Sequence, residues 1–441
     1  MKKLTILLLY FIFAAGNVSA QTEMNVTSVD AETYSQYLEK DWKNLIKTGE
    51  KARRNGIDFY YLDYRLGIAF YELKKYAAAV KYFEKIYKTN KDDQTLKEYL
   101  YFSYLLSGRF GDARLLADSF DRKLKAKLDI ESEYSFIHAL YFSTKQDINE
   151  NYKYTSVNSE QVEQINVTGQ SWYNLSLEHL AGSRTTVFHG YSHLTINNNI
   201  RTADTNLPQE YSEQLNQNEY YFSLKYHLSK GLNVSGGIHL LNTSYFAQDP
   251  VPVSYGRRMV YPVLYKYSEN SFVGSLNISK SFSVFNTTAE TSVSNLNGNI
   301  QIQPSLSLRI YPFGNNNFFS ETKGIYLTEE TGGVYNYYPA IKQSFGIKLF
   351  KNSFISPSVT IGELHNFTEY NAFIVNNDLD KTKLRIENYL NLGFAEGRFN
   401  LFVNYQYNVK ENDFDINGNE NTAEYINQTI TGGIKWYFRK Y

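Results

Sequence analysis

Residues 219–240 read Glu219-Tyr220-Tyr221-Phe222-Ser223-Leu224-Lys225-Tyr226-His227-Leu228-Ser229-Lys230-Gly231-Leu232-Asn233-Val234-Ser235-Gly236-Gly237-Ile238-His239-Leu240. Tyr220, Phe222, Leu224, Tyr226 and Leu228 alternate with mostly polar neighbours, which is the two-residue period of a strand with one apolar face. After Ser229-Lys230-Gly231 the alternation resumes with Leu232, Val234, Gly236, Ile238 and Leu240. Folding the chain on that turn sets Tyr226 against Val234, Phe222 against Ile238 and Tyr220 against Leu240. Both strands then present one continuous apolar face.

The same pattern recurs along the C-terminal two thirds. Ile341, Phe345 and Leu349 precede Lys351-Asn352-Ser353, and Ile355, Val359 and Ile361 follow it. Leu384, Ile386, Leu390, Leu392 and Phe394 precede Glu396-Gly397, and Phe399, Leu401, Val403, Tyr405, Tyr407 and Val409 return across it. Short turns are read near Gly182, Lys230, Lys280, Gly314, Asn352 and Gly397, separated by longer polar connections such as 197–217, 369–382 and 411–423. Short turns at one end, long loops at the other and strands of about 10 residues are the signature of a transmembrane β-barrel. A soluble β-sandwich also alternates, but rarely keeps all its short turns at one end. Six hairpins, a last strand over 425–438 and an ascending partner placed at 151–157 give an expected fourteen strands, with twelve and sixteen left open.

From Asp30 to about Lys145 the apolar residues recur three and four apart, a helical period. Leu66, Phe70, Ala79, Phe83 and Ile86 are followed 34 residues later by Leu100, Tyr104, Ala113, Ala117 and Phe120. A repeat of that length is the tetratricopeptide spacing, with small residues where paired helices approach and large ones filling the gaps. The first unit, Leu66-Gly67, Phe70, Ala79 and Phe83, resembles the tetratricopeptide pattern. Asp63, Tyr101 and Lys91 depart from it. Two repeats are expected, flanked by capping helices over 34–54 and 130–142; the alternative is a helical domain without repeats. The expected fold is thus α + β and multidomain, a short helical solenoid over 21–145 followed by an antiparallel transmembrane β-barrel over 146–441.

Lys2 and Lys3, the apolar run Leu4–Ala15 and the small residues Val18-Ser19-Ala20 have the layout of a secretory signal peptide cleaved after Ala20. The run is too short for a membrane anchor, which needs about 20 apolar residues. The chain has no Cys, which removes a lipoprotein thiol, and its 45 basic and 45 acidic residues leave no cationic excess to suggest nucleic acid.

The C-terminal strand carries Thr431, Gly433, Trp436 and Phe438, followed by Arg439-Lys440-Tyr441. A polar residue, a Gly two positions on and two alternating aromatics resemble the signal read by the barrel-assembly machinery of the outer membrane. As a whole the chain resembles YaiO-type outer-membrane barrels, particularly Bacteroidota versions with helical repeats before the barrel. The resemblance implies an outer-membrane location, contact with outer-membrane lipid and repeats in the periplasm; it implies no catalytic residue.

Chemistry is sparse. His189 and His193 share a strand face at about 13 Å, too far apart for one ion. His227 is expected to face Asn233, and His239 to face Tyr221, so no His pair forms by simple folding. No GxSxG or GxxxxGK[ST] motif is present. No catalytic, cofactor or metal residue is assigned. Face assignment turns Lys225, Arg309, Lys323, Lys342, Lys348, Lys383, Arg385 and Lys435 into the lumen, against Glu178, Glu219, Glu321 and Glu387. A basic pore favours anions; the alternative is a plugged lumen with internal ion pairs, such as Lys383 and Arg385 with Glu387. The expected function is a conduit or docking protein whose repeats bind a periplasmic protein or a polymer. Repeats joined to a barrel resemble the outer-membrane components of exopolysaccharide export, so polysaccharide or anionic solute export is implied. The rivals are a closed surface-interaction barrel and a barrel-embedded lipid hydrolase.

Overall fold

Short helices occupy the N-terminal region, some of them opened by side-chain caps. In a computed structural model that describes residues 24–130, 136–147, 162–204, 207–248, 264–376, 380–416 and 419–438, these are α1 (Val26–Leu38), α2 (Trp42–Arg54), α3 (Tyr60–Glu72), α4 (Tyr76–Tyr87), α5 (Gln94–Leu106), α6 (Phe110–Ala117) and α7 (Arg122–Lys127). Asn25 caps α1 by accepting from the Ser28 backbone N–H at 2.9 Å, while Ser28 Oγ accepts from the Asn25 N–H at 3.1 Å. Asp41 and Asp121 cap α2 and α7 in the same way, satisfying donors that the helix itself leaves unpaired. The proposed signal peptide lies outside the described residues.

The chain divides into two compact units, Met1–Ser103 and Tyr104–Tyr441. In the first, Leu45, Leu62, Leu66, Phe83 and Leu100 are wholly buried, and Phe70 packs half-buried against this core. Gly67 lies under the ring of Phe83, where a Cβ would collide, and Ala79 is fully enclosed. Asp63 is buried and ion-paired to Arg53 of α2 and, at 2.7 Å, to Lys85 of α4. An aspartate here replaces an aromatic contact with an ionic clamp across three helices. In the second unit Ala113 is enclosed and Tyr104 is buried, with the Arg109 guanidinium 4.6 Å from its ring centre.

Fourteen strands form a closed antiparallel barrel. It begins with β1 (Ala139–Asp147) and continues through five hairpins: β2 (Val162–Ala181) with β3 (Thr185–Asp204), β4 (Leu207–Ser229) with β5 (Leu232–Gln248), β6 (Leu264–Phe282) with β7 (Phe285–Ser294), β8 (Ile300–Ile310) with β9 (Phe318–Thr331), and β10 (Val334–Phe350) with β11 (Ser353–Leu364). A separate two-stranded sheet, β12 (Phe367–Glu369) and β13 (Ile374–Asn376), interrupts the barrel sequence. The sixth barrel hairpin, β14 (Lys381–Phe394) with β15 (Phe399–Ile416), precedes β16 (Asn419–Tyr437), which closes the ring against β1. Tyr226 pairs with Val234, Phe222 with Ile238 and Tyr220 with Leu240, the register expected from sequence. Leu224, Ile238, Leu276, Leu306, Ile341 and Val403 are exposed on the outer face, while Ser, Asn, Gln and charged residues alternate with them inside. Closure leaves no edge in the barrel sheet among the described residues.

Three expectations are corrected. The ascending partner of the last strand is Ala139–Asp147, paired Leu140 to Trp436. The proposed segment 151–157 lies outside the described residues, and the expected capping helix over 130–142 gives way to strand at Ala139. Nine residues with only Leu140 and Phe142 facing out are too short to register as alternation against the helical pattern before them. Strand length was also underestimated. β4 has 23 residues and β3 has 20, because much of the connection read over 197–217 is paired strand. Alternation fades where Asn, Gln, Glu, Ser and Thr occupy both faces, although the ladder continues. At about 3.4 Å per residue and a tilt near 40°, β4 spans about 60 Å, more than twice the roughly 25 Å apolar band of such barrels.

Candidate functional site, a plugged lumen

The lumen is occupied by the β12–β13 hairpin. Its tip turns through Tyr370, Asn371 and Ala372, with φ of 54°, 59° and 61°. Three successive left-handed residues other than glycine cost about 1–2 kcal/mol each, so the surrounding contacts must hold the turn. Tyr221 Oη and Ser275 Oγ donate to the Asn371 carbonyl at 2.8 and 2.9 Å, and the Asn371 N–H donates to Glu290 at 2.9 Å. His239 Nδ1 lies 2.9 Å from the Ala372 carbonyl, which makes it the donor. Ala372 and Val375 pack against Leu241, Val273 and Leu296, and Phe373 sits edge-on to Phe188 and Tyr221. At the base, Thr368 hydrogen-bonds Ser292 at 2.7 Å and Gln303 through its backbone. By sequence the interval 369–382 reads as a polar connection. Phe367 just before it and Phe373, Ile374 and Val375 within it were the available sign that it folds inward.

The hairpin brings its own charge. Glu369 accepts from Arg385 at 2.9 Å and lies 3.4 Å from Lys342, which also pairs with Glu387. Lys323 pairs with Glu290 at 3.1 Å, and Arg309 with Glu321 at 2.6 Å. Glu290, Glu329 and Glu369 were not anticipated as lumen carboxylates, and they turn the expected basic surplus into a set of ion pairs. Lys383 departs from its expected inward position. A register shift between Thr382 and Leu384 bulges it out of the alternation, and it meets Glu363 at 2.6 Å and Glu411 at 3.0 Å instead of Glu387. Lys348 lies near the short-turn end, where its backbone N–H donates to Asn317 at 2.8 Å. Lys225 and Lys435 have no carboxylate within ion-pair distance among the described residues. The Lys435 ammonium instead lies 4.4 and 4.3 Å from the ring centres of Tyr141 and Tyr437.

The histidines pair more than expected. His227 meets Asn233 at 2.8 Å and His239 stacks edge-on to Tyr221, as read from the register. Yet His179 Nε2 lies 3.0 Å from His189 Nε2, a diagonal contact across β2 and β3 that direct-opposite pairing did not reveal. In the terminal strand Thr431 and Gly433 face inward, with no room for a Cβ at Gly433 against Phe402. Trp436 and Phe438 face outward, with ring centres 5.4 Å apart.

At the short-turn end α6 enters the same unit as the barrel. Buried Asp112 lies 3.0 Å from His227 Nε2 and accepts from Arg109 at 2.7 Å, and Gly111 sits against the His227 ring where any side chain would clash. Burial alone would raise the Asp112 pKa, but the His227 hydrogen bond and the Arg109 charge outweigh it and hold the carboxyl below its usual value. Arg114 reaches Thr186 at 3.4 Å. His138 lies beside Glu178, and burial, joined by repulsion from Lys435 and Arg114, outweighs the attraction of Glu178 and holds its pKa below the usual value.

Three cavities follow one another from this helix to the side of the plug, of about 210, 310 and 470 Å³. Glu178, Thr186 and Lys225 line both of the first two. Phe188, Tyr370 and Phe373 line both the second and the third. The interior therefore holds a blocked axis and an off-axis series of chambers around it.

No family model matches the chain and no curated protein is similar to it in sequence. Among solved structures, a deltaS2 mutant of the TodX monoaromatic hydrocarbon channel aligns over 71% of this chain and 93% of its own at 7% identity, with a TM-score of 0.45. A Pseudomonas aeruginosa FadL homologue aligns over 69% of this chain and 91% of its own at 10% identity and a TM-score of 0.41. An anion-selective porin from Comamonas acidovorans aligns over 68% of this chain and all of its own, with 7% identity and a TM-score of 0.31. These likenesses are of barrel architecture alone.

Proposed function

We propose that the chain is an exported outer-membrane protein whose barrel is a gated conduit, closed by the β12–β13 hairpin. The observation that carries this reading is that the hairpin is a sheet of its own, with no ladder to the wall among the described residues. It can leave the lumen without opening the barrel, and Glu369 leaves matching charged groups on both surfaces for water to solvate. The exposed apolar belt supports insertion in a bilayer, since a water-soluble protein does not tolerate an apolar surface that encircles it. In this reading residues 1–20 are a signal peptide, and the barrel-assembly machinery reads Thr431, Gly433, Trp436 and Phe438. Helices α1 to α7 form a periplasmic tetratricopeptide-like module that recruits a protein or polymer partner, and the cargo is an anionic solute or polysaccharide.

Replacing Asn366–Asn376 with a Gly-Ser linker and recording in planar bilayers tests the gate. The variant is expected to conduct where the parent is nearly silent. A folded, inserted variant as silent as the parent would refute the conduit. A second reading, a closed barrel for surface interaction, is favoured by the length of β3 and β4, which carries their hairpin far beyond an apolar band.

A further inference from the structure

We propose that the off-axis chambers are a binding site for a carboxylated sugar, with Lys225, Lys435 and Arg114 receiving the carboxylate and the aromatic and amide wall beside the plug receiving the ring. The inference rests on the conduit reading for its biological use, but not for its test.

Charge is the first argument. At the level of the plug, Lys323, Lys342 and Arg385 each have a carboxylate partner. Toward α6 the balance changes: Asp112 is already engaged by Arg109 and His227, and Lys225, Lys435 and Arg114 are left with Glu178, which itself accepts from Tyr141 Oη at 2.7 Å. Cations enclosed without equivalent anions form a site for an anionic ligand.

Unmet hydrogen bonding is the second. Each chamber holds one buried polar atom without a partner: Arg114 Nε in the first, Asn371 Oδ1 in the second and Asn404 Oδ1 in the third. Buried polar atoms are ordinarily satisfied, so each chamber has in its lining one polar side chain with unused hydrogen-bonding capacity. The wall supplies the third argument. In the largest chamber, Trp172, Tyr389 and Phe402 stand among Asn174, Gln406 and Asn427. Aromatic faces pack on the C–H faces of a sugar ring, and each amide offers a donor beside an acceptor, which matches adjacent hydroxyls. A volume of about 470 Å³ accommodates two or three rings, within the usual range of small-molecule sites.

The probe is trigalacturonate, with neutral galactotriose as comparison, added to the full-length protein in detergent. Trp172 is the reporter, since of the three Trp only it lines the cavity; the Trp42→Phe variant, altered outside the cavity lining, should keep the fluorescence change. Trigalacturonate is expected to bind at least about tenfold more tightly than galactotriose, and the Lys225→Gln/Lys435→Gln double variant to lose that preference. Lys348→Gln, outside the chambers, should bind as the parent does, and heat-modifiable migration in gels confirms that each variant is folded. Equal affinity for both sugars, no binding by folded parent, or an unchanged preference in the double variant would overturn the assignment. Silence of the plug deletion in bilayers would refute the conduit while leaving this binding result intact.

Discussion

Glu369→Gln removes the charge that the plug carries and leaves the wall's own pairs in place. Glu369 accepts from Arg385 at 2.9 Å, from Asn376 at 3.2 Å and, more weakly, from Lys342 at 3.4 Å, with its side chain only 14% exposed. Lys342 keeps Glu387 and Arg385 keeps Asn408 at 2.8 Å, so the barrel is not undermined. Glutamine retains the volume but turns one charge-assisted contact into a neutral one and sets its amide N–H₂ against a cation. Charge-assisted bonds contribute about 1.5–3 kcal/mol each against roughly 1 for neutral ones, so the plug loses about 3 kcal/mol. At 1.4 kcal/mol per decade, the displaced state becomes about a hundredfold more populated. Single-channel recording reads that population as open probability. Glu363→Gln, which breaks the outward pair with Lys383, should leave it unchanged. Open probability within about threefold of the parent in folded Glu369→Gln would show that apolar packing of Ala372 and Phe373 holds the plug, and the electrostatic account would be wrong.

Further outcomes follow from the belt, the helix at the mouth and the helical core. Leu390→Arg, on the outer face against Val403, should cost about 2–4 kcal/mol in folding into liposomes, whereas Phe394→Arg, at the rim, should cost about 0–1; equal costs would mean the depth assignment is wrong. Because the Asp112 carboxyl is held below its ordinary pKa, its stabilising contribution is present above about pH 4 and is lost as pH falls through the depressed value. Limited proteolysis should therefore cut around α6 faster at pH 3 than at pH 6, with Asp112→Asn removing most of the difference. Gly67→Val places carbon against the Phe83 ring and should destabilise the helical region by about 1–3 kcal/mol. Circular dichroism of the full chain would show an earlier helical transition, and an unchanged one would mean that the helices have room to part at that point.

Where each strand meets an apolar surface on one side and water on the other, the sequence was transparent. Tyr220 to Leu240 fixes a hairpin to the residue because a one-position slip would turn every apolar side chain inward. The same logic failed where the lipid stops. Residues 197–217 pair along nearly their whole length, but polar residues dominate both faces, and Ile200 and Leu215 are too sparse among them to distinguish that ladder from a loop. Lys383 was misplaced by a bulge, since a single inserted residue reverses the face of its neighbours without altering composition. The plug was hidden for a different reason. Its partners, Tyr221, Glu290, Lys342 and Arg385, lie on four strands far apart in the chain, and only closure of the barrel brings them around one hairpin. The cations near α6 were recognised as inward-facing, but which of them lack carboxylates depends on the three lumen glutamates that were missed.

The central claim, that the β12–β13 hairpin gates the lumen, is tested most directly by tying the hairpin to the wall. Ser292 Oγ of β7 and Thr368 Oγ1 of β12 are 2.7 Å apart, close to where two sulfur atoms would join, and the native chain has no Cys to compete. The Ser292→Cys/Thr368→Cys protein should be recorded in a planar bilayer under oxidising conditions and then with reductant. The account predicts a silent barrel when oxidised and channel openings that appear on reduction and vanish on reoxidation. Identical conductance in the two states, with the disulfide verified by mass spectrometry, would contradict it.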